Sequence, residues 1–151
     1  MWNEQHGYQH SDRIRELGAD GVFDRNQKDL ERHIREVAPG GEINVVADVV
    51  GGTSFSMYLN LLGRGGRYVT SGAIAGPIVE LDLRTLYLND LEMHGATVMP
   101  VGIFEKLVNY IENEEIRPLL ARKFPISEIK KAQEEFLNKK HIGNIVILPW
   151  Q

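Results

Sequence analysis

The stretch that decides the fold class of this 151-residue chain is Val45-Val46-Ala47-Asp48-Val49-Val50-Gly51-Gly52. The near-continuous apolar run from Ile43 to Val50 is bounded by glycines, as in a strand that is covered on both faces. One helix length later comes a second such stretch, Leu62-Gly63-Arg64-Gly65-Gly66-Arg67-Tyr68-Val69-Thr70-Ser71-Gly72. Its part from Arg67 to Ser71 predicts the next strand. Together the two stretches predict neighbouring parallel strands that each end in a turn of small residues.

Helices and strands alternate along most of the sequence. Apolar spacings of three and four residues predict helices at residues 28–37, 55–62, 83–88 and 104–111, the last with Phe104, Leu107, Val108 and Ile111 facing inward. Short apolar runs predict strands at residues 22–23, 43–50, 67–71, 91–98 and 143–148. A short helix follows Ser11, and another is predicted to be capped by Ser127. This alternation predicts an α/β fold with a parallel sheet and right-handed crossovers.

Length and composition narrow the class of protein. We expect one domain over residues 11–151, after an irregular polar segment at residues 1–10. The net charge of -4 argues against nucleic acid as a partner, and no apolar run approaches the roughly 20 residues of a membrane span. The absence of cysteine excludes disulfides and thiolate zinc sites within this sequence. With no basic-then-apolar leader, the sequence predicts a cytoplasmic protein.

The turns after the strands are the candidate binding site. Ligands of open parallel sheets bind outside the carboxyl ends of the strands, and glycine there lets a ligand approach the backbone. The alternative is that glycine only ends a strand, as it does in many tight turns. Two consecutive strands that end in this way favour binding. The residues alone leave the ligand class open, because a strand with Asp48 followed by a helix and a Gly-Gly-Arg strand also fits methyltransferase-like sheets.

A set of motifs in a fixed order carries a family resemblance. These are Asp48-Val49-Val50-Gly51-Gly52, Gly65-Gly66-Arg67-Tyr68-Val69, Leu81-Asp82-Leu83-Arg84-Thr85-Leu86-Tyr87-Leu88, Gly95-Ala96-Thr97, Ile116-Arg117-Pro118, and Ala132-Gln133 with Phe136 through His141-Ile142-Gly143-Asn144-Ile145-Val146. The set resembles the C-terminal half of medium-chain dehydrogenase/reductases, in the branch of zinc-type alcohol dehydrogenases and quinone oxidoreductases. The resemblance implies a partial Rossmann-type doubly wound parallel sheet, with strands 3, 4, 5 and 6 and C-terminal strands present and strands 1 and 2 absent.

The same resemblance implies hydride transfer with NAD or NADP and suggests the residues that contact the cofactor. They lie after strand 4, after strand 5, after strand 3 and near the C-terminus, and they are Val49, Val50, Gly51, Gly72, Ala73, Ile74, Asp24 and Asn144. The family often has lysine at the position of Asn144. Asparagine keeps the hydrogen bonds there but loses the charge for a phosphate contact.

Several parts of the family pattern have no counterpart in this sequence. They are the glycine-rich phosphate loop, strand 2 and the whole N-terminal catalytic domain with its zinc ligands and proton relay. We therefore assign no catalytic residue, and we expect any zinc to belong to a catalytic domain that acts as a partner of this chain. Orphaned sheet edges invite association, so we also expect a homo-oligomer, through the edge strand at residues 92–98 or through other exposed sheet edges.

Two functions of different class remain in competition at this stage. One is the cofactor-domain portion of an NAD(P)-dependent oxidoreductase that is inactive alone. The other is a truncated, non-catalytic paralogue that acts as an oligomeric structural or binding module. The absent phosphate loop favours the second, because that loop and the helix behind it hold the cofactor pyrophosphate.

Overall fold

The computed structural model describes residues 11–97, 100–138 and 140–150. The predicted irregular segment at residues 1–10 lies outside them. The chain divides into two compact units. We call Ala19–Met99 the central unit, and Met1–Gly18 together with Pro100–Gln151 the flanking unit.

The central unit is a three-stranded parallel sheet with its helices in between. Its elements are α2 (Leu30–Val37), β1 (Ile43–Asp48), α3 (Phe55–Leu61), β2 (Leu62–Thr70), α4 (Leu83–Leu88) and β3 (Glu92–Gly95). The strands lie in the order β1-β2-β3, and Val46 pairs with Tyr68 while Val69 pairs with His94. The predicted parallel sheet is therefore formed, with each crossover passing through a helix.

The core of the central unit lies on one face of this sheet. Val46 and Tyr68 reach it from the strands, Leu91 reaches it from just before β3, and Phe55 and Leu59 reach it from α3. The rings of Phe55 and Tyr68 meet edge to face, with centroids 5.2 Å apart and planes at 86°. Each large apolar side chain buried in this way contributes about 1.5–3 kcal/mol, so this face fixes how the sheet and α3 pack.

The other face of β1 is open, and the prediction that this strand is covered on both faces is wrong. Val46 and Asp48 are buried, whereas Val45 is 50% exposed and Val49, just after the strand, is 60% exposed. The apolar run correctly indicated a strand. It could not show that α3 covers only the face to which Val46 points.

The predicted short strand at residues 22–23 is not formed. Residues 21–24 have no regular structure, and the Phe23 ring folds back over Gly21, within 2.7 Å of where a Cβ there would lie. A strand needs a neighbour for its backbone hydrogen bonds. Among the described residues, the central sheet consists of β1, β2 and β3, and none of these strands pairs with residues 21–24.

The flanking unit contains a second, smaller parallel sheet. Its elements are α1 (Ser11–Glu16), α5 (Ile103–Glu112), β4 (Leu120–Pro125), α6 (Ile129–Asn138) and β5 (Asn144–Leu148), with β4 and β5 paired. The sequence did not predict β4, because only Phe124 of its residues is buried and the charged Arg122 and Lys123 hide the pattern. Ser127 lies inside a 3₁₀ turn, Ile126–Glu128, so its predicted role as the cap of α6 is wrong.

Helix α5 forms where it is predicted, but its apolar side is not buried. Phe104 is 62% exposed, and Leu107 and Ile111 are each more than a third exposed. The prediction that these side chains face a core is therefore wrong. The spacing of apolar residues predicts that α5 is amphipathic, but it does not show whether another element covers its apolar side. Among the described residues, no helix is long and apolar enough to cross a membrane.

Candidate functional site

Two turns meet at the carboxyl edge of the central sheet. Turn A is residues 49–52 after β1, and turn B is residues 71–76 after β2. The N–H of Ala75 donates to the carbonyl of Val50 at 2.8 Å, and that of Gly52 donates to the carbonyl of Gly76 at 3.1 Å. The N–H of Ser71 donates to the carbonyl of Asp48 at 3.0 Å. Because β1 and β2 are parallel neighbours, six predicted site residues come together here: Val49, Val50, Gly51, Gly72, Ala73 and Ile74.

Glycine at position 51 is required by the contact between the two turns. Its φ is +64° and its ψ is -146°, a backbone conformation that side chains disfavour. A Cβ at this position would lie 2.9 Å from the carbonyl oxygen of Gly76 and 3.2 Å from the Cβ of Ala73. The close backbone approach that glycine allows here is thus between turn A and turn B. That the same residues contact a cofactor stays a prediction.

Asp48 holds turn A through hydrogen bonds to its backbone, although it is not among the site residues predicted from the sequence. Its carboxylate accepts hydrogen bonds from the N–H of Val50 at 2.7 Å and from the N–H of Gly51 at 3.1 Å. It also accepts one from the hydroxyl of Tyr68, on the neighbouring strand, at 2.6 Å. The signal was available, because a lone carboxylate in an apolar strand needs buried partners.

The electrostatics of this pair follow from its burial. Asp48 is 4% exposed and Tyr68 is 3% exposed. Burial on its own raises the pKa of Asp48, but the hydrogen bonds from Tyr68, Val50 and Gly51 outweigh it and hold that pKa below its usual value. Burial, and then the neighbouring carboxylate, raise the pKa of Tyr68 well above its usual value. Asp48 is therefore ionised and Tyr68 neutral across the physiological range.

The outer surface of the two turns is largely apolar. Val49 is 60% exposed and Ile74 is 72% exposed, and Ala73 beside them is also exposed. A concavity of about 360 Å³ adjoins the turns, with Gly52, Phe55, Ala75, Gly76 and Ile78 among its lining residues. This volume is within the range of small-molecule sites. The exposed Val49 and Ile74 can therefore offer apolar contacts to a flat ring, whereas the concavity lies beside them and is lined by none of the six predicted site residues.

The two remaining predicted site residues take part in local contacts elsewhere. Asp24 lies in the central unit, where its carboxylate accepts a hydrogen bond from the N–H of Asn26 at 2.8 Å and starts a turn. Asn144 belongs to the flanking unit, where it is exposed and begins β5, with its N–H donating to the carbonyl of Leu119 at 2.8 Å. Their role toward a cofactor also stays a prediction.

A zinc ion does not fit the side chains that the structure describes. Within residues 11–97, 100–138 and 140–150, no three histidine, aspartate or glutamate residues are grouped as a metal site would need, and the sequence has no cysteine. Structural and catalytic zinc normally takes three or four protein ligands. No step of a reaction is therefore assigned to a metal held by this chain.

Comparison with known proteins identifies a family and relatives of this chain. Residues 17–147 match the family model described as zinc-binding dehydrogenase. Quinone oxidoreductase of Pseudomonas aeruginosa is 24% identical over 144 residues, which are 89% of this chain and 44% of that protein. NAD-dependent alcohol dehydrogenase of Saccharolobus solfataricus is 23% identical over 133 residues, which are 87% of this chain and 38% of that protein.

Solved structures agree in fold. A protein of Sinorhizobium meliloti 1021 that is assigned as an alcohol dehydrogenase is 43% identical, with a TM-score of 0.80 over 94% of this chain and 39% of that one. A thermostable alcohol dehydrogenase of Pyrobaculum aerophilum, with cobalt and zinc bound, is 32% identical, with a TM-score of 0.70 over 96% of this chain and 41% of that one. These similarities confirm the predicted family resemblance and the α/β fold. The chain spans less than half the length of each of these relatives.

Proposed function

Because the chain belongs to the zinc-binding dehydrogenase family, we propose that it forms the nicotinamide side of the cofactor site of an NAD(P)-dependent oxidoreductase. The observation that carries the proposal is the meeting of turns A and B, which brings six of the eight predicted cofactor residues to one edge of the sheet. Relatives are named as an NAD-dependent alcohol dehydrogenase and a quinone oxidoreductase. Family membership favours this reading over a methyltransferase-like module.

The residues present fit the uncharged end of such a cofactor. Val49 and Ile74 would supply apolar contacts to the nicotinamide ring, and backbone groups of turn B would supply polar ones. When bound, the cofactor supplies the hydride that is donated or accepted. This chain's own residues would bind and orient the ring and exclude water from it, which is the part that proteins play in cofactor chemistry. Asp24 is proposed as a further contact within the central unit, and Asn144 is proposed on the family resemblance alone.

The proposal is tested by titrating the purified chain with NADH and with NADPH while following cofactor fluorescence. We expect saturable binding of at least one of them. Val49→Glu should weaken it about tenfold or more, a loss of at least about 1.4 kcal/mol, because a carboxylate replaces an apolar contact. Val45→Glu is the matched control, since Val45 is comparably exposed at 50% but lies inside β1, four residues before Val49.

The outcomes separate cleanly. If Val45→Glu binds like the original chain and Val49→Glu does not, the carboxyl edge is the site. Equal effects of both variants, or no binding of either cofactor at millimolar concentration, would overturn the proposal.

Self-association is a second proposal, and it depends on β3. In the central sheet as described, β3 is an edge strand and all four of its residues are exposed. The N–H of Ala96 donates to the carbonyl of Thr70 on β2 at 2.9 Å. We propose that the chain stays extended beyond β3, so that the N–H of Thr97, opposite in direction to that of Ala96, faces the open edge. A second copy of the chain could pair with β3 at this edge. A separate catalytic domain is also proposed as a partner, on the family relation alone. Val98, at the end of the predicted edge strand, lies outside the described residues.

A further inference from the structure

Asp48 ties together three parts of the candidate site. Its carboxylate ends β1, accepts hydrogen bonds from two N–H groups of turn A, and accepts a third from Tyr68 on β2. Among the described residues, it is the one charged side chain that is buried in the core. A buried carboxylate is costly unless its oxygens are hydrogen-bonded, so the bonds that Asp48 accepts also fix the positions of their donors.

We propose that Asp48 and Tyr68 are positioning residues, which hold turn A in the shape that binds the nicotinamide end of the cofactor. This inference rests on the proposed function, since it takes turn A to be part of the cofactor site. Neither side chain needs to touch the cofactor. Both act through the backbone of Val50 and Gly51.

The hydrogen bonds also decide which part of a dinucleotide turn A can accept. The N–H groups of Val50 and Gly51 are already bound to the Asp48 carboxylate, so they are not free to bind a phosphate. The negative charge behind them would repel one. Turn A therefore presents the side chain of Val49 to an uncharged group, and phosphate recognition must come from elsewhere.

Tyr68 allows the proposal to be tested with little disturbance of the core. Its ring packs edge to face on Phe55, and Tyr68→Phe keeps that contact while removing only the hydroxyl. Without the hydroxyl, Oδ2 of Asp48 loses its 2.6 Å hydrogen bond from Tyr68 and keeps the 3.2 Å hydrogen bond from the N–H of Gly51. The carboxylate is then less firmly held, and turn A is expected to open more often.

The first measurement is backbone amide hydrogen exchange by NMR without cofactor. Tyr68→Phe should speed exchange at Val50 and Gly51 about tenfold, the loss expected for one hydrogen bond to a charged group. The rates are taken relative to the amides of β1 and β2, because a general loss of stability would speed all of them together. Tyr58→Phe is the control, since Tyr58 is half-buried against the same core, whereas the hydrogen bonds to Asp48 come from Tyr68, Val50 and Gly51.

The second measurement is NADH and NADPH binding by the same variants. Tyr68→Phe should weaken binding about as much as it speeds turn exchange, and Tyr58→Phe should change neither. If Tyr68→Phe does not fold, Asp48→Asn takes its place. Its amide keeps the shape and one acceptor oxygen but loses the charge, and exchange at Val50 and Gly51 should again rise.

The results distinguish this inference from the proposed function. If the original chain binds neither cofactor, the proposed function fails, and Asp48 and Tyr68 have no role in cofactor binding. Amide hydrogen exchange still shows in that case whether Asp48 and Tyr68 shape turn A. If cofactor binds but the Tyr68→Phe or Asp48→Asn variant leaves turn exchange and affinity unchanged, the positioning role is overturned.

Discussion

A single methyl group at position 51 is expected to cost about 2–6 kcal/mol of folding free energy. The backbone there has a φ of +64° and a ψ of -146°, which costs a residue with a side chain about 1–3 kcal/mol. The added Cβ would also lie 2.9 Å from the carbonyl oxygen of Gly76. Turn B must move to make room, and overpacking of this kind costs about 1–3 kcal/mol. Since whole domains are stable by about 5–15 kcal/mol, Gly51→Ala would remove a large part of the total.

Gly65→Ala is the matched control for this prediction. Gly65 also has a positive φ, +72°, but a Cβ there would meet nothing within 4 Å. It should cost only the backbone strain, about 1–2 kcal/mol. The assay is urea unfolding followed by far-UV circular dichroism, with amide exchange in β1 and β2 reporting on the central unit alone. Equal costs for the two variants would refute the inference that packing between turns A and B requires glycine.

Two further predictions concern pH and assembly. Because the pKa of Asp48 is lowered in the folded state, its full contribution to stability is present above about pH 4 and is lost as the pH falls further. Because the pKa of Tyr68 is raised, its full contribution is present below about pH 10 and is lost as the pH rises further. Unfolding across pH should show both losses, and Tyr68→Phe should lack the alkaline one; a Tyr68→Phe profile identical to that of the original chain would contradict this. In sedimentation experiments, Thr97→Pro should weaken self-association because it removes an N–H at the open edge. Thr97→Val keeps that N–H and should leave self-association unchanged. A dimer that both variants leave intact would count against pairing through β3.

Much of the central unit could be predicted because its signals are local. The apolar run at β1 and the spacing in α3 specify those elements, and α4 has the predicted bounds, Leu83–Leu88. The parallel order of β1 and β2 then implies that turns A and B lie side by side.

The features that the sequence did not predict depend on what packs against each element. Val45 is exposed although it lies in an apolar run, because α3 covers only one face of β1. The apolar side of α5 is exposed for a similar reason. Asp48 gains its role from Tyr68, which lies 20 residues away in sequence and meets it only once the strands are in register. A local sequence pattern shows neither which face of an element is packed against another nor the register in which two strands pair.

The most direct test of the central claim is to map cofactor-induced NMR chemical-shift changes on this chain during titration with NADH and NADPH. We predict saturable changes concentrated at residues 49–51 and 72–74, with smaller ones through Asp48 and Tyr68. Changes that do not saturate, or that saturate while leaving both turns unaffected, would contradict the assignment of this edge as the cofactor site.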